Sequence, residues 1–147
     1  MRIRGAFALP LALIACGGSS ATVQQFLGSW TSVGSELETC GSDSHTTPLN
    51  GLLMIGQASA SGQVMTMPPN GCNLNWAVNL NTASLGGTQT CTVPGSVGGV
   101  WTATFTSGTL NLNGNVITFS DQGSGVLNYG GAISQCTFTQ SGTFSRN

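Results

Sequence analysis

His45 is the only imidazole in the chain, and it closes the run Ser42-Asp43-Ser44-His45. Those are the residue types of a hydrolytic triad, in which a base takes the serine proton and an acid orients the base. A triad is assembled by convergence in space, and consecutive residues do not converge, so the run reads as a solvated polar loop. The carboxylates are Glu36, Glu38, Asp43 and Asp121. Glycoside chemistry needs two of them flanking a sugar, yet Glu36, Glu38 and Asp43 fall in one loop. The same three acids, with serine and backbone oxygens, are hard ligands of the kind calcium takes, although their spacing is not that of an EF-hand. No catalytic residue, metal or cofactor is expected. The remaining chemistry lies in the cysteines, Cys16, Cys40, Cys72, Cys91 and Cys136.

Cys16 stands apart from the others. Met1-Arg2-Ile3-Arg4 is a short basic start, and Ala6 to Ala15 is uncharged, mostly apolar and too short to span a bilayer. Leu13-Ile14-Ala15-Cys16, followed by Gly17-Gly18-Ser19-Ser20, resembles the lipobox of bacterial lipoprotein signal peptides. The resemblance implies that residues 1–15 are a signal peptide and that Cys16 is acylated and becomes the new N-terminus. Residues 16–23 are then a lipidated cysteine with a flexible tether, and residues 24–147 a single domain. Each buried CH₂ of such a lipid anchors by about 0.8 kcal/mol, so the membrane is an expected partner without being crossed. Gly17, where an inner-membrane lipoprotein tends to carry Asp, points to the outer membrane.

Charge narrows the functional classes. The chain has no lysine, and without residues 1–15 Arg146 alone faces the acids Glu36, Glu38, Asp43 and Asp121. Nucleic-acid binding needs a cationic patch that releases counterions, and this chain cannot make one. A polybasic hold on anionic lipid is excluded for the same reason. An even set of four further cysteines in an exported chain favours two disulfides. A metal site is disfavoured by the single His and the lack of a C-x-x-C pair.

The elements that must position these groups read as strands. Thr, Ser, Asn and Gly dominate the polar residues, and they suit solvated strand faces and turns. Phe26 to Val33 is the first strand, with Phe26, Gly28 and Trp30 on one face. Glu36 to Pro48 is a polar loop. Leu52 to Gln57 and Gln63 to Met67 form a hairpin. Asn73 to Leu80 alternates, with Leu74, Trp76, Val78 and Leu80 on one face, and Ser84 to Val93 is its return. A tight turn at Asn81-Thr82 would set Cys72 opposite Cys91 and leave Cys40 with Cys136, although a one-residue change of loop length breaks that register. Val100 to Thr106 points Trp101, Ala103 and Phe105 one way. Asn113-Gly114 is a hairpin signal that pairs Leu110 with Ile117. Gly125 to Tyr129 and Ser134 to Gln140 are separated by Gly130-Gly131. A final three-residue loop around Gly142 would bring Phe138 opposite Phe144.

The result is an all-β domain of eight to ten short antiparallel strands, built either as a small meander barrel or as a two-sheet sandwich. The strands are too short for an outer-membrane barrel. Gly28-Ser29-Trp30 near the start resembles the Gly-x-Trp that opens the barrel of lipocalins and avidins, the calycins. That resemblance implies a barrel closed by Trp30, with Arg146 packed over it as the late basic residue. It also implies a cup for a small apolar ligand, with Trp76 and Trp101 as wall residues. Met54, Met65 and Met67 are either adaptable lining or gap-fillers.

The functional expectation is a small cell-envelope lipoprotein with a non-catalytic binding or structural role, tethered through Cys16. The alternative is a calycin-like carrier of a small apolar ligand. Its partners would be the membrane and either that ligand or an envelope protein or glycan.

Overall fold

Alternation of Thr and Ser with apolar residues runs through the chain with few interruptions, and it yields strands longer than the turn signals suggest. The structure is a computed structural model that describes residues 21–147, apart from residue 70 and residues 95–97. A one-turn helix α1 (Ala21–Gln24) leads into nine strands. They are β1 (Gly28–Cys40), β2 (Asp43–Gln57), β3 (Gln63–Met67), β4 (Leu74–Asn79), β5 (Thr82–Leu85), β6 (Gln89–Pro94), β7 (Val100–Asn113), β8 (Val116–Tyr129) and β9 (Ala132–Arg146).

All nine belong to one antiparallel sheet in the order β5-β4-β3-β2-β1-β9-β8-β7-β6. The all-β class and the antiparallel topology are as the sequence implies. The calycin resemblance is not carried by this topology, and the meander-barrel expectation is corrected by it. In a plain meander each strand pairs only with its sequence neighbours and the last with the first. Here β6 takes the edge of β7 from Val100 to Phe105. β5 therefore meets β7 through only Thr82↔Asn111, Ala83↔Leu110 and Ser84↔Thr109.

Three local expectations are also corrected. Glu36 to Pro48 is not a loop but the outer half of a long hairpin, with Glu36↔Thr47 and Glu38↔His45 in register. Phe138 and Phe144 do not face each other across a turn. Both lie on the continuous strand β9, and their even separation puts them on one face. A hairpin forms at Asn113-Gly114, but its two-residue loop is Gly114-Asn115, closed by Asn113↔Val116, so Leu112 pairs with Ile117 and Leu110 with Phe119. The Gly130-Gly131 turn forms with φ of 57° and 88°, the mirror-image geometry that a two-residue hairpin needs.

The register of β7 against β8 slips between Phe105 and Ser107. Before the slip Ala103 and Phe105 are buried, and after it Leu110 and Leu112 are. An inserted residue in one strand shifts side-chain parity in this way, so both halves of β7 face the same core.

The core is built on Val23, Phe26, Trp30, Leu53, Ile55, Val64, Trp76, Phe105, Leu110, Ile117, Phe119, Phe138 and Phe144. Phe105 meets Phe138 edge-on at 5.0 Å, and Phe119 stacks on Phe144 at 4.4 Å. Two disulfides, Cys40–Cys136 and Cys72–Cys91, staple the sheet. The first extends the β1–β9 ladder one pair beyond Thr39↔Thr137. The second ties the loop before β4 to β6. The expected return of β4 is split in two: β5 pairs β4, whereas β6 pairs β7.

The lipobox Leu13-Ile14-Ala15-Cys16 lies outside the described residues. The lipoprotein, membrane-anchor and outer-membrane expectations rest on it alone and find no support in the described residues, so they are not carried forward. Among the described residues no helix is long and apolar enough to cross a membrane.

Candidate functional site

Three neighbouring strands place a row of polar side chains on the core face. Glu36 of β1 pairs with Gln140 of β9, and Gln140 pairs in turn with Asp121 of β8. Asp121 pairs on its other side with Gly108 of β7. The row lies on the inward parity of its strands: Glu36 is two positions from Gly34, Gln140 two from Phe138, and Asp121 two from Phe119.

These groups line a cleft of about 520 Å³ together with Trp76, Trp101, Phe105 and Phe138. Leu49 to Leu53 of β2, Pro68 and Pro69, and Val93 of β6 also line it. Among the described residues, β2 from Asp43 to Leu53 pairs on one side only, with β1, and β6 pairs only with β7. The cleft is thus lined in part by stretches of β2 and β6 that pair on one side only among the described residues.

Asp121 is the most constrained group in the row. It is 6% exposed, and its Oδ1 atom has no hydrogen-bond partner among the described residues. A buried polar atom without a partner costs about 1–3 kcal/mol. Burial first, and the nearby Glu36 carboxylate second, push its pKa up to about 7. The Gln140 amide is committed to the other end of the row, where Nε2 donates to Glu36 Oε2.

The two expected wall tryptophans both line the cleft. Trp76 is held from behind: its Nε1 donates to Thr66 Oγ1 at 3.0 Å. Its ring lies over Gly108, where a Cβ would come within 2.9 Å of both the ring and the Asp121 Cβ. Trp101 lies across Gly125, where a Cβ would fall 1.9 Å from the ring. Missing side chains on the sheet let both rings lie close to the backbone. Met54, Met65 and Met67 are not among the residues that line the cleft.

The other candidates do not converge. Ser42, Asp43, Ser44 and His45 sit exposed at the β1–β2 tip. There Ser42 bonds Asp43 and Ser44 bonds Thr39, and no bond among the described residues joins a serine to His45. Glu38 faces His45 across the hairpin, and its pKa is raised by desolvation and Glu36, against a lowering by His45. The calcium grouping is dispersed: Glu36 and Glu38 share the inward face, whereas Asp43 is exposed at the tip. Glu38 lies close to the sulfurs of Cys40 and Cys136, but those sulfurs are joined in a disulfide and offer no thiolate.

The role of Asp121 was not legible in the sequence, because it appears there as a lone acid in a Ser/Gly-rich run. The one signal was parity. Ile117, Phe119 and Asp121 share a spacing of two, so an inward Phe119 brings Asp121 inward too. No family model, no curated protein and no solved structure matches this chain.

Proposed function

We propose that this chain is an exported, non-catalytic binding domain of the cell envelope that holds a small, largely apolar molecule in its cleft. The observation that carries the reading is the cleft itself, about 520 Å³ and walled by Trp76, Trp101, Phe105 and Phe138. Ligand sites of this size are mostly apolar, with a few convergent polar groups, and Glu36, Gln140 and Asp121 are such groups. Export is supported by the two disulfides, which persist in oxidising compartments. Placement at the cell envelope is part of the proposal and is tested by fractionation.

A partner protein added at the open edge of β2 is a weaker reading. Pro48 lies in the middle of that edge and offers no backbone donor.

The test is native mass spectrometry of the oxidised protein against its denatured mass, with quenching of tryptophan fluorescence by apolar probes. A discrete adduct, or saturable quenching, is expected. A clean mass together with no quenching by any apolar probe refutes the reading.

A further inference from the structure

We propose that the cleft selects an apolar amine, whose ammonium group is held by Asp121 and Glu36 beside the Trp76 ring. This rests on the reading of the cleft as a small-molecule site, and it names the ligand class.

Three observations converge on a cation. Among the described residues the cleft is lined by two carboxylates, Glu36 and Asp121, and by no Lys, Arg or His. Asp121 lines the cleft, is 6% exposed and has Oδ1 unpartnered among the described residues, so its carboxylate brings an unsatisfied acceptor to the apolar wall. Gln140 satisfies Glu36 but reaches Asp121 with no bond among the described residues. A buried acceptor beside a second carboxylate is relieved by a donor that carries positive charge, which an alkylammonium supplies. The aromatic wall adds to this, because tryptophan faces attract cations.

The same geometry rejects carboxylate ligands. With Asp121 ionised, a fatty acid would bring a further negative charge beside two carboxylates. Arg146 is the one arginine among the described residues, and it is engaged elsewhere, with Trp30 and the carbonyls of Leu27 and Gln25.

Binding should depend on pH, because the ammonium needs an ionised Asp121. Among the described residues lining the cleft, Glu36 on β1 is the one other titratable group facing it. Gln140 on β9, Gly108 on β7 and Trp76 on β4 bring no charge. With Asp121 half-ionised at about 7, amine affinity rises as pH climbs from 5.5 to 8. The rise approaches tenfold per pH unit below the midpoint and flattens above it.

The experiment titrates the oxidised full chain with decylamine, decanol and decanoate, read by tryptophan fluorescence. Decylamine is expected to bind at least tenfold more tightly than decanol, and decanoate more weakly than either. Asp121→Asn should abolish the amine preference and leave decanol binding in place. Equal or tighter binding of decanol or decanoate by the wild-type protein overturns the amine assignment while keeping the cleft as a site. Failure of all three probes to bind overturns the site as well. If Asp121→Asn does not fold, the wild-type pH profile decides. A decylamine affinity as flat as that of decanol between pH 5.5 and 8 refutes the proposal, and a rise confined to decylamine supports it.

Discussion

The guanidinium of Arg146, near the end of β9, lies 4.4 Å above the ring of Trp30, near the start of β1. Trp30 is fully buried, and its Nε1 donates to the Phe26 carbonyl at 3.0 Å. Arg146 donates to the Leu27 carbonyl at 3.1 Å and also to that of Gln25. One side chain therefore caps the core tryptophan and fastens the segment between α1 and β1. Arg146→Gln removes the ring contact and the charge on both bonds. A loss of about 1–2 kcal/mol is expected, after discounting for solvent exposure. It is read as a lower urea midpoint with an unchanged m-value. Arg146→Lys should recover only part, because an ammonium cannot lie flat on the ring and fork to two carbonyls.

Asp121 makes stability depend on pH in an unusual sense for an acid. Its folded pKa, near 7, lies above the unfolded value of 3.8. Between the two the native state binds more protons than the unfolded state, so stability falls as pH rises from about 4 to 7. The full effect is about 4 kcal/mol at 1.36 kcal/mol per unit. Asp121→Asn should be more stable than wild type at pH 8 and flatter with pH. Denaturant melts at pH 4.5, 6 and 8 check this, and a wild-type profile that rises with pH contradicts it.

The disulfides should differ in weight. Cys40–Cys136 closes a span of 96 residues and Cys72–Cys91 one of 19. Chain-entropy arguments give about 4–5 kcal/mol for the longer loop and about 3 for the shorter. The double variant Cys40→Ser/Cys136→Ser is expected to lose more stability than Cys72→Ser/Cys91→Ser, measured under the same non-reducing conditions.

Gly125→Ala tests the wall of the cleft. A Cβ there meets the Trp101 ring at 1.9 Å, so the ring must leave the sheet. The expected result is a shift in tryptophan emission and weaker probe binding, with a stability loss of about 1–3 kcal/mol from overpacking. Unchanged emission shows that Trp101 does not lie on the sheet as described.

What was legible in the sequence was local. Period-two alternation gave β3 and the Trp101-Ala103-Phe105 face. Both disulfide pairings follow from a single return of β4 over Ser84 to Val93, but that return is two strands: β5 pairs β4, and β6, which carries Cys91, pairs β7. Gln89 explains why β4 and β6 still lie together. Its side-chain amide accepts from the Asn75 N–H at 2.8 Å and donates to the Asn75 carbonyl at 2.7 Å. A side chain thus imitates a strand across that seam, and no residue pattern announces it. Long strands were misread wherever glycine or polar residues interrupted them. Thr106 is a bulge in a strand that runs on to Asn113, Gly142 lies mid-strand, and Glu36 to Pro48 continues a hairpin. The Asp121 row needs β1 in register with the β8–β9 hairpin at the other end of the chain, and no local pattern announces that pairing.

The union of β1 with β9 has a kinetic consequence. Its pairs, from Trp30↔Arg146 to Thr39↔Thr137, join segments about as far apart as the chain allows. The hairpins β1–β2, β7–β8 and β8–β9 close short loops and can form early, whereas this seam waits on the largest loss of chain entropy. Until it zips, two long ladders of unpaired amides stand open on a chain with almost no charge to keep neighbours apart. Slow refolding, with a yield that falls steeply with protein concentration, is the signature this topology should leave.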